Sequence, residues 1–368
     1  MEVIRHLGAP YRAAALSAHS RADELIAQAR ELRPKVACVT GGCDRASVEN
    51  QLHHLGVGTY FGQTGLIEVV QHPEVDIVLS AIVGAAGLPA AVACVEAGKT
   101  LLLANKESLV VAGSLLMPEA RKRGVTILPV DSEHSAIFQA LLAGRRDEVK
   151  RVILTASGGP FRACSVDQIE NATPADALKH PTWNMGTRIT LDSATMFNKA
   201  AEIIEAVWLF DLDPSQIEVV VHKESVIHSM VEFVDGSVIA QLSPPDMKTP
   251  IQYALTHPDR KPGCGREMDW TAAFALNFEP PDRRKFPALD IAYDVATRKG
   301  TLGAVMNAAN ETAAAAFLSG KIRFGMIWRA VEHTIAAHTV TPAPTLADLL
   351  EADHWARKTA AAWLEKNC

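Results

Sequence analysis

What this chain of 368 residues lacks narrows its class before any motif is considered. It has no excess of positive charge: 36 Lys and Arg stand against 42 Asp and Glu, a net charge of −6 and a pI of about 6.1. Without a basic field it has no general attraction for nucleic acid or for an anionic membrane surface. Cysteine is scarce and scattered. Cys38, Cys43, Cys94, Cys164, Cys264 and Cys368 form no CxxC pair and no zinc-type spacing, so they read as reduced thiols of a cytoplasmic protein. No apolar run reaches membrane-spanning length, and the longest, around 77–95, is broken by Gly84, Gly87 and Pro89. The first seven residues lack the apolar block of a secretory signal. There is no internal repeat, and no GxGxxG turn opens the chain.

What is present begins with core: 48% of residues are hydrophobic and 21% charged, enough for two or three domains. The first third alternates strand and helix patterns. Strands are expected at 12–18, 35–40, 76–81, 100–104 and 126–130. Helices are expected at 21–32, with Leu25, Ile26, Ala29 and Leu32 on one face, at 44–54, and at 87–97, closed by Gly98. Strict alternation predicts an α/β fold with a Rossmann-like, doubly wound parallel sheet over 1–131. Such a fold opens with a strand and a Gly-rich turn. Here residues 1–7 read as the interior of the helix that follows, so the first strand is missing. An open reading frame begun at an internal codon explains this better than a short form with impaired cofactor binding.

From about Glu148 the pattern changes. Strands at 149–155, 217–221, 229–233 and 238–242, with a helix at 200–210, predict an α+β catalytic domain over 132–257. A Pro- and charge-rich passage at 258–287 reads as a linker. Ala-rich helical patterns at 288–299, 302–319, 324–337 and 353–365 predict a small carboxyl-terminal bundle over 288–368.

The chemistry concentrates in two segments. Asp131 and Glu133 lie two apart after an apolar strand, where α/β sheets place their ligands, and a strand end would point both carboxylates the same way. Glu202 and Glu205 share a helical face at i, i+3 among Ile203, Ile204, Ala206, Val207 and Trp208, and carboxylates in so apolar a helix need partners. A structural salt bridge would serve. So would a divalent cation shared with Asp131 and Glu133, for which all-oxygen ligation favours Mg²⁺ or Mn²⁺ over Zn²⁺. Ser157 in a Gly-Gly-Pro turn, with Ser193, Asn198 and Lys199, offers hydroxyl, amide and ammonium donors suited to a phosphate. His180 and Trp183 fall in a Pro- and Gly-bearing loop that reads as a lid. His228, beside a strand, would alone pass for a structural histidine. Asn105, Lys106 and Glu107 sit at another strand end, and Ala81 begins a run of small residues that lets a planar cofactor approach the backbone. After the strand ending at Ala18, Ser20 and Arg21 replace the acid of NAD-specific folds and suit the 2′-phosphate of NADPH.

Together these blocks resemble the 1-deoxy-D-xylulose 5-phosphate reductoisomerase family. The resemblance is carried by AIVGAAGL (81–88), LLANKESLV (102–110), LPVDSEHSAIFQ (128–139), TASGGPF (155–161), HPTWNMG (180–186), DSATMFNK (192–199), SVIHSMVEF (225–233), PDMKTPI (245–251) and MNAANE (306–311). It implies a homodimer that uses NADPH and Mg²⁺ or Mn²⁺. The implied reaction rearranges and reduces 1-deoxy-D-xylulose 5-phosphate to 2-C-methyl-D-erythritol 4-phosphate for isoprenoid synthesis. By the family pattern Asp131, Glu133 and Glu202 hold the metal, and Lys106, Glu133, Glu205 and His180 serve catalysis. Ser132, Glu133, Ser157, His180, Trp183, Ser193, Asn198, Lys199, Glu202 and His228 meet substrate. Ser20, Arg21, Ala81, Asn105, Lys106, Glu107, Met185 and Gly186 face cofactor. The chain departs from the pattern at 222–225, HKES for the usual HPQS, and at Ser243-Pro244. The rival expectations are a form that binds the sugar phosphate without turnover, and an oxidoreductase for another phosphorylated sugar.

Overall fold

The structure, a computed structural model, describes residues 1–183 and 185–367. Asn184 of the expected lid and Cys368 lie outside the described residues. The chain divides into two compact units, each discontinuous in sequence. One comprises Met1–Ala104, Pro118–Val130 and Lys248–Gly265; the other comprises Asn105–Met117, Asp131–Met247 and Arg266–Cys368.

The first unit is built from parallel strands and crossover helices. β1 (Ala15–Ala18), β2 (Val36–Val39) and β3 (Gly58–Phe61) pair in the order β1-β2-β3. β4 (Ile77–Ser80), β5 (Thr100–Leu103) and β6 (Ile127–Pro129) pair in the order β4-β5-β6. All four residues of β2 and the three leucines of β5 are buried, the continuous apolar signature of strands covered on both faces. β1 and β4 have one strand partner each among the described residues, and Ile77 and Leu79 of β4 remain exposed. Helices Ala22–Leu32 and Arg45–His54 set Leu25, Ile26, Ala29, Val48 and Leu52 against Ala37 and Val39. The second of these helices starts at Asp44, whose side chain accepts the Ser47 N–H at 3.3 Å.

The second unit holds a four-stranded mixed sheet of β7 (Val149–Ala156), β8 (Ile217–Val221), β9 (Ile227–Phe233) and β10 (Val238–Leu242), ordered β10-β9-β7-β8. β7 runs parallel to β8 and antiparallel to β9. Helix Ser132–Leu141 packs on β9 and β10, and helix Phe197–Phe210 packs against Ala288–Arg298. Helices Leu302–Leu318, Met326–Ala337 and Leu346–Asn367 pack on one another as the expected bundle, the last starting seven residues before the sequence pattern suggested.

Candidate active site

Asp131 is not on a strand. It caps helix Ser132–Leu141, its side chain accepting the Glu133 N–H at 3.2 Å, and Glu133 follows in the first helical turn. The two carboxylates meet because a helix start folds one back beside the other, not by the strand alternation expected from the sequence.

Helix Phe197–Phe210 brings Glu202 to them, with no exposed surface of its own. Oxygens of Asp131, Glu133 and Glu202 all lie within 4.8 Å of one another. Two lysines thread the cluster. Lys106 Nζ lies 2.5 Å from Asp131 Oδ2 and 3.0 Å from Glu202 Oε1. Lys199 Nζ lies 2.9 Å from Glu133 Oε1 and donates to Glu202 Oε2. Asn198 Nδ2 donates to Glu202 Oε1 at 2.6 Å, and Ser132 Oγ donates to Glu133.

Burial and charge oppose each other here. Burial alone would lower the Lys106 ammonium, but Asp131 and Glu202 outweigh it and hold the group well above the usual lysine range. Burial would likewise raise Asp131, yet Lys106 and His134 keep it well below the usual carboxylate range. Glu202 is raised by burial and by Glu133, against the two lysines.

His134 is the residue sequence reasoning left without a role. Its Nε2 bonds the Glu202 carbonyl oxygen at 3.0 Å, and its Nδ1 faces Glu205 Oε2 at 3.2 Å and Asp131 Oδ1 at 3.6 Å. The imidazole and Glu205 are close but not aligned for a hydrogen bond, and both are fully enclosed. Burial pushes Glu205 up to about 7 despite His134, while Glu205 and Asp131 overcome burial to push His134 up to about 9. The only advance signal was position: His134 lies three residues past the Asp131 cap.

A second group surrounds the end of β7. Ser157 Oγ lies 3.0 Å from His180 Nε2 and accepts the Gly159 N–H at 3.2 Å. His180 Nδ1 accepts backbone N–H groups of Thr182 and Trp183 at 3.2 and 2.8 Å, so the ring proton sits on Nε2 and is donated to Ser157. Burial lowers the His180 imidazole, which favours this neutral form. With two donors already on its oxygen, the Ser157 hydroxyl is left to donate outward. Gly158 and Gly159 both have positive φ, and a Cβ at 159 would stand 2.8 Å from the Ser193 carbonyl oxygen. Trp183 lies 6.3 Å from the His228 ring, whose Nε2 contacts Ser243 O and Oγ at 3.1 and 3.0 Å.

The expected cofactor residues are divided between the units. Ser20, Arg21 and Ala81 belong to the first, with Arg21 exposed and paired to Glu24 at 3.1 Å. Asn105, Lys106, Glu107, Met185 and Gly186 belong to the second, where Asn105 Nδ2 donates to Glu107 at 2.8 Å and Gly186 caps helix Thr187–Thr195.

Parallel strands with crossover helices in one unit, and three carboxylates bridged by two lysines in the other, define a two-part α/β enzyme with a site suited to a hard cation. Family models described as 1-deoxy-D-xylulose 5-phosphate reductoisomerase match residues 1–113, and those of its C-terminal domains match 127–210 and 242–359. Reductoisomerases of that name from Ruminiclostridium cellulolyticum and Pseudomonas aeruginosa are 47% and 46% identical, covering 98% and 100% of this chain and 94% of their own length. A crystal structure of DOX-P reductoisomerase with NADPH, fosmidomycin and magnesium superposes with a TM-score of 0.93 at 40% identity, covering 99% of this chain and 94% of that one. The Zymomonas mobilis enzyme with NADPH gives 0.92 at 42%, with the same coverage. The chain belongs to the 1-deoxy-D-xylulose 5-phosphate reductoisomerase family.

Proposed function

We propose that this chain converts 1-deoxy-D-xylulose 5-phosphate to 2-C-methyl-D-erythritol 4-phosphate, using NADPH and a divalent cation, in isoprenoid precursor synthesis. The observation that carries the reading is the convergence of Asp131, Glu133 and Glu202 on one point, with Glu202 fully buried and the other two partly so. Their oxygen-only donor set fits Mg²⁺ or Mn²⁺, and these three residues would hold it. Bound there, the cation would polarise vicinal oxygens of the sugar, and NADPH would supply the hydride.

The remaining work falls to the chain itself. Lys106 stays protonated and presents an N–H donor to a reacting hydroxyl or carbonyl. Glu205, titrating near neutrality, is matched to exchanging a proton with substrate at working pH. Lys199, set between Glu133 and Glu202, is read as turning to the phosphate alongside Ser157, Ser193 and Asn198. Ser132 and His228 are read as lining the sugar, with His180 and Trp183 closing over it. Ser20 and Arg21 are read as gripping the 2′-phosphate, and Ala81, Asn105, Glu107, Met185 and Gly186 as meeting the rest of the cofactor.

The division of labour proposed is cofactor binding by 1–131, which also lends Lys106 and Asp131 to the site, chemistry by 132–257, a connection over 258–287 and support by the helices of 288–368. A homodimer is supported by Trp270 and Phe274, side by side and 70% and 48% exposed, a patch that a second copy would cover. A cytoplasmic setting is supported by free thiols, of which burial pushes Cys38 up to about 11 and Cys94 up to about 12. No helix among the described residues is long and apolar enough to cross a membrane.

The test is direct. Purified chain given the sugar phosphate, Mn²⁺ and NADPH should consume the nicotinamide only when all three are present. Consumption indifferent to the sugar phosphate, or none with any phosphorylated ketose, would end the assignment.

A further inference from the structure

Neither the MNAANE segment nor Asp192 has a role in the proposed reaction, yet the structure joins them. Helix Leu302–Leu318 is largely buried and sets Asn310, 6% exposed, against helix Thr187–Thr195. Asn310 Nδ2 donates to Asp192 Oδ1 at 3.0 Å. From one turn before Asp192, Arg188 Nε donates to its Oδ2 at 2.7 Å. Both oxygens of one nearly enclosed carboxylate are therefore held, the first by a helix 118 residues further along the chain and the second by its own. Asn310 Oδ1 is enclosed and makes no hydrogen bond among the described residues, so this amide is only half satisfied. An apolar side chain would avoid that cost, and the Nδ2 contact is what the asparagine adds.

The residue after Asp192 is Ser193. On its other side Gly159 approaches so closely that a Cβ would stand 2.8 Å from the Ser193 carbonyl oxygen, and the Gly159 N–H is bonded to Ser157. Ser193 is thus set between a backbone contact to the Ser157 turn and the Asp192–Asn310 tie.

We propose that Asn310, acting through Asp192, is a positioning residue that fixes the distance between Ser193 and Ser157. The inference rests on reading those two hydroxyls as phosphate donors. Asn310 itself touches no ligand. Donors that grip a phosphate equally before and during the reaction affect KM rather than kcat.

The experiment compares Asn310→Ala with Arg357→Met in the full chain. Arg357 Nη2 donates to Glu311 Oε2 at 2.5 Å, tying the next residue of the same helix without engaging Asp192. Asn310→Ala should raise KM for the sugar phosphate about tenfold with kcat within about threefold, the loss expected for one displaced charge-assisted donor. It should weaken calorimetric binding of inorganic phosphate by a similar factor. Arg357→Met should lower the melting temperature and leave KM and phosphate binding unchanged. If Asn310→Ala does not fold, Asn310→Leu, close in volume and without the Nδ2 donor, carries the same expectation. Unchanged KM and phosphate affinity in the folded variant, or a fall confined to kcat, would overturn the inference. Wild-type chain that binds inorganic phosphate without sugar-dependent turnover would sink the functional reading instead, while the phosphate comparison would still decide this one.

Discussion

Glu205 and His134 face each other where neither meets water, and the consequence can be read in stability as well as in rate. A carboxyl that titrates at about 7 in the fold and at its ordinary 4.5 in the unfolded chain binds its proton more tightly when folded. Its contribution to stability is full below about pH 4.5 and is lost as pH rises through about 7, a difference of roughly 3 kcal/mol. His134, raised to about 9, loses its contribution in the same direction but at higher pH. Glu205→Gln should therefore flatten the decline in urea stability between pH 4.5 and 7; a variant that keeps the full decline would show that another group carries the proton. Glu202→Gln, an isosteric change at the centre of the cluster, should cut kcat by at least roughly 100-fold while the melting temperature moves by only a few degrees. At this scale the carboxylates were legible in sequence because their residue types and their apolar settings are unusual. His134 and Asn310 were not: their partners Glu202 and Asp192 lie 68 and 118 residues away, and the spacing of His134 from Asp131 is the one local sign.

At the scale of elements, legibility followed how strongly each segment's pattern outweighs its punctuation. β2 and β5 read as strands because Val36–Val39 and Leu101–Leu103 are unbroken apolar runs, and the structure buries both, whereas β4, which the sequence pattern marks as buried, leaves Ile77 and Leu79 exposed. β3 and helix Gly62–Gln71 were missed: Gly58, Gly62 and Gly65 interrupt the pattern, and the strand is only partly buried. Helix Ser132–Leu141 was hidden behind its own polar start, where Asp131, Ser132, Glu133 and His134 looked like a strand end rather than a cap and first turn. The early start of helix Leu346–Asn367 did have a local signal. Thr345 and Asp348 bond each other's backbone N–H groups at 2.7 and 3.2 Å, a reciprocal cap written as Thr-x-x-Asp. Gly303 tests a contact between elements. A Cβ there would stand 1.9 Å from the Val110 carbonyl oxygen, which is backbone and cannot rotate away. Gly303→Ala should push helix Leu302–Leu318 off the Val110 backbone and cost roughly 2–3 kcal/mol of denaturant stability. A loss under about 0.5 kcal/mol would mean that this contact yields freely.

For the whole molecule, the cation provides a measurement independent of turnover. Three carboxylates and two lysines leave the cluster with one uncompensated negative charge, and an unfolded chain has no such convergence of oxygens. A ligand that binds only the folded state stabilises it by mass action, by about 2.7 kcal/mol at a hundred times its dissociation constant. Mn²⁺ should accordingly raise the melting temperature of the apo chain by several degrees in a saturable way, without substrate or NADPH. Asp131→Asn and Glu202→Gln should abolish the shift. Asn310→Ala should keep it, because its tie runs to the Ser193 side and leaves the three carboxylates in place. A shift that survives the loss of Glu202 would place the ion elsewhere and remove the observation on which the catalytic reading stands.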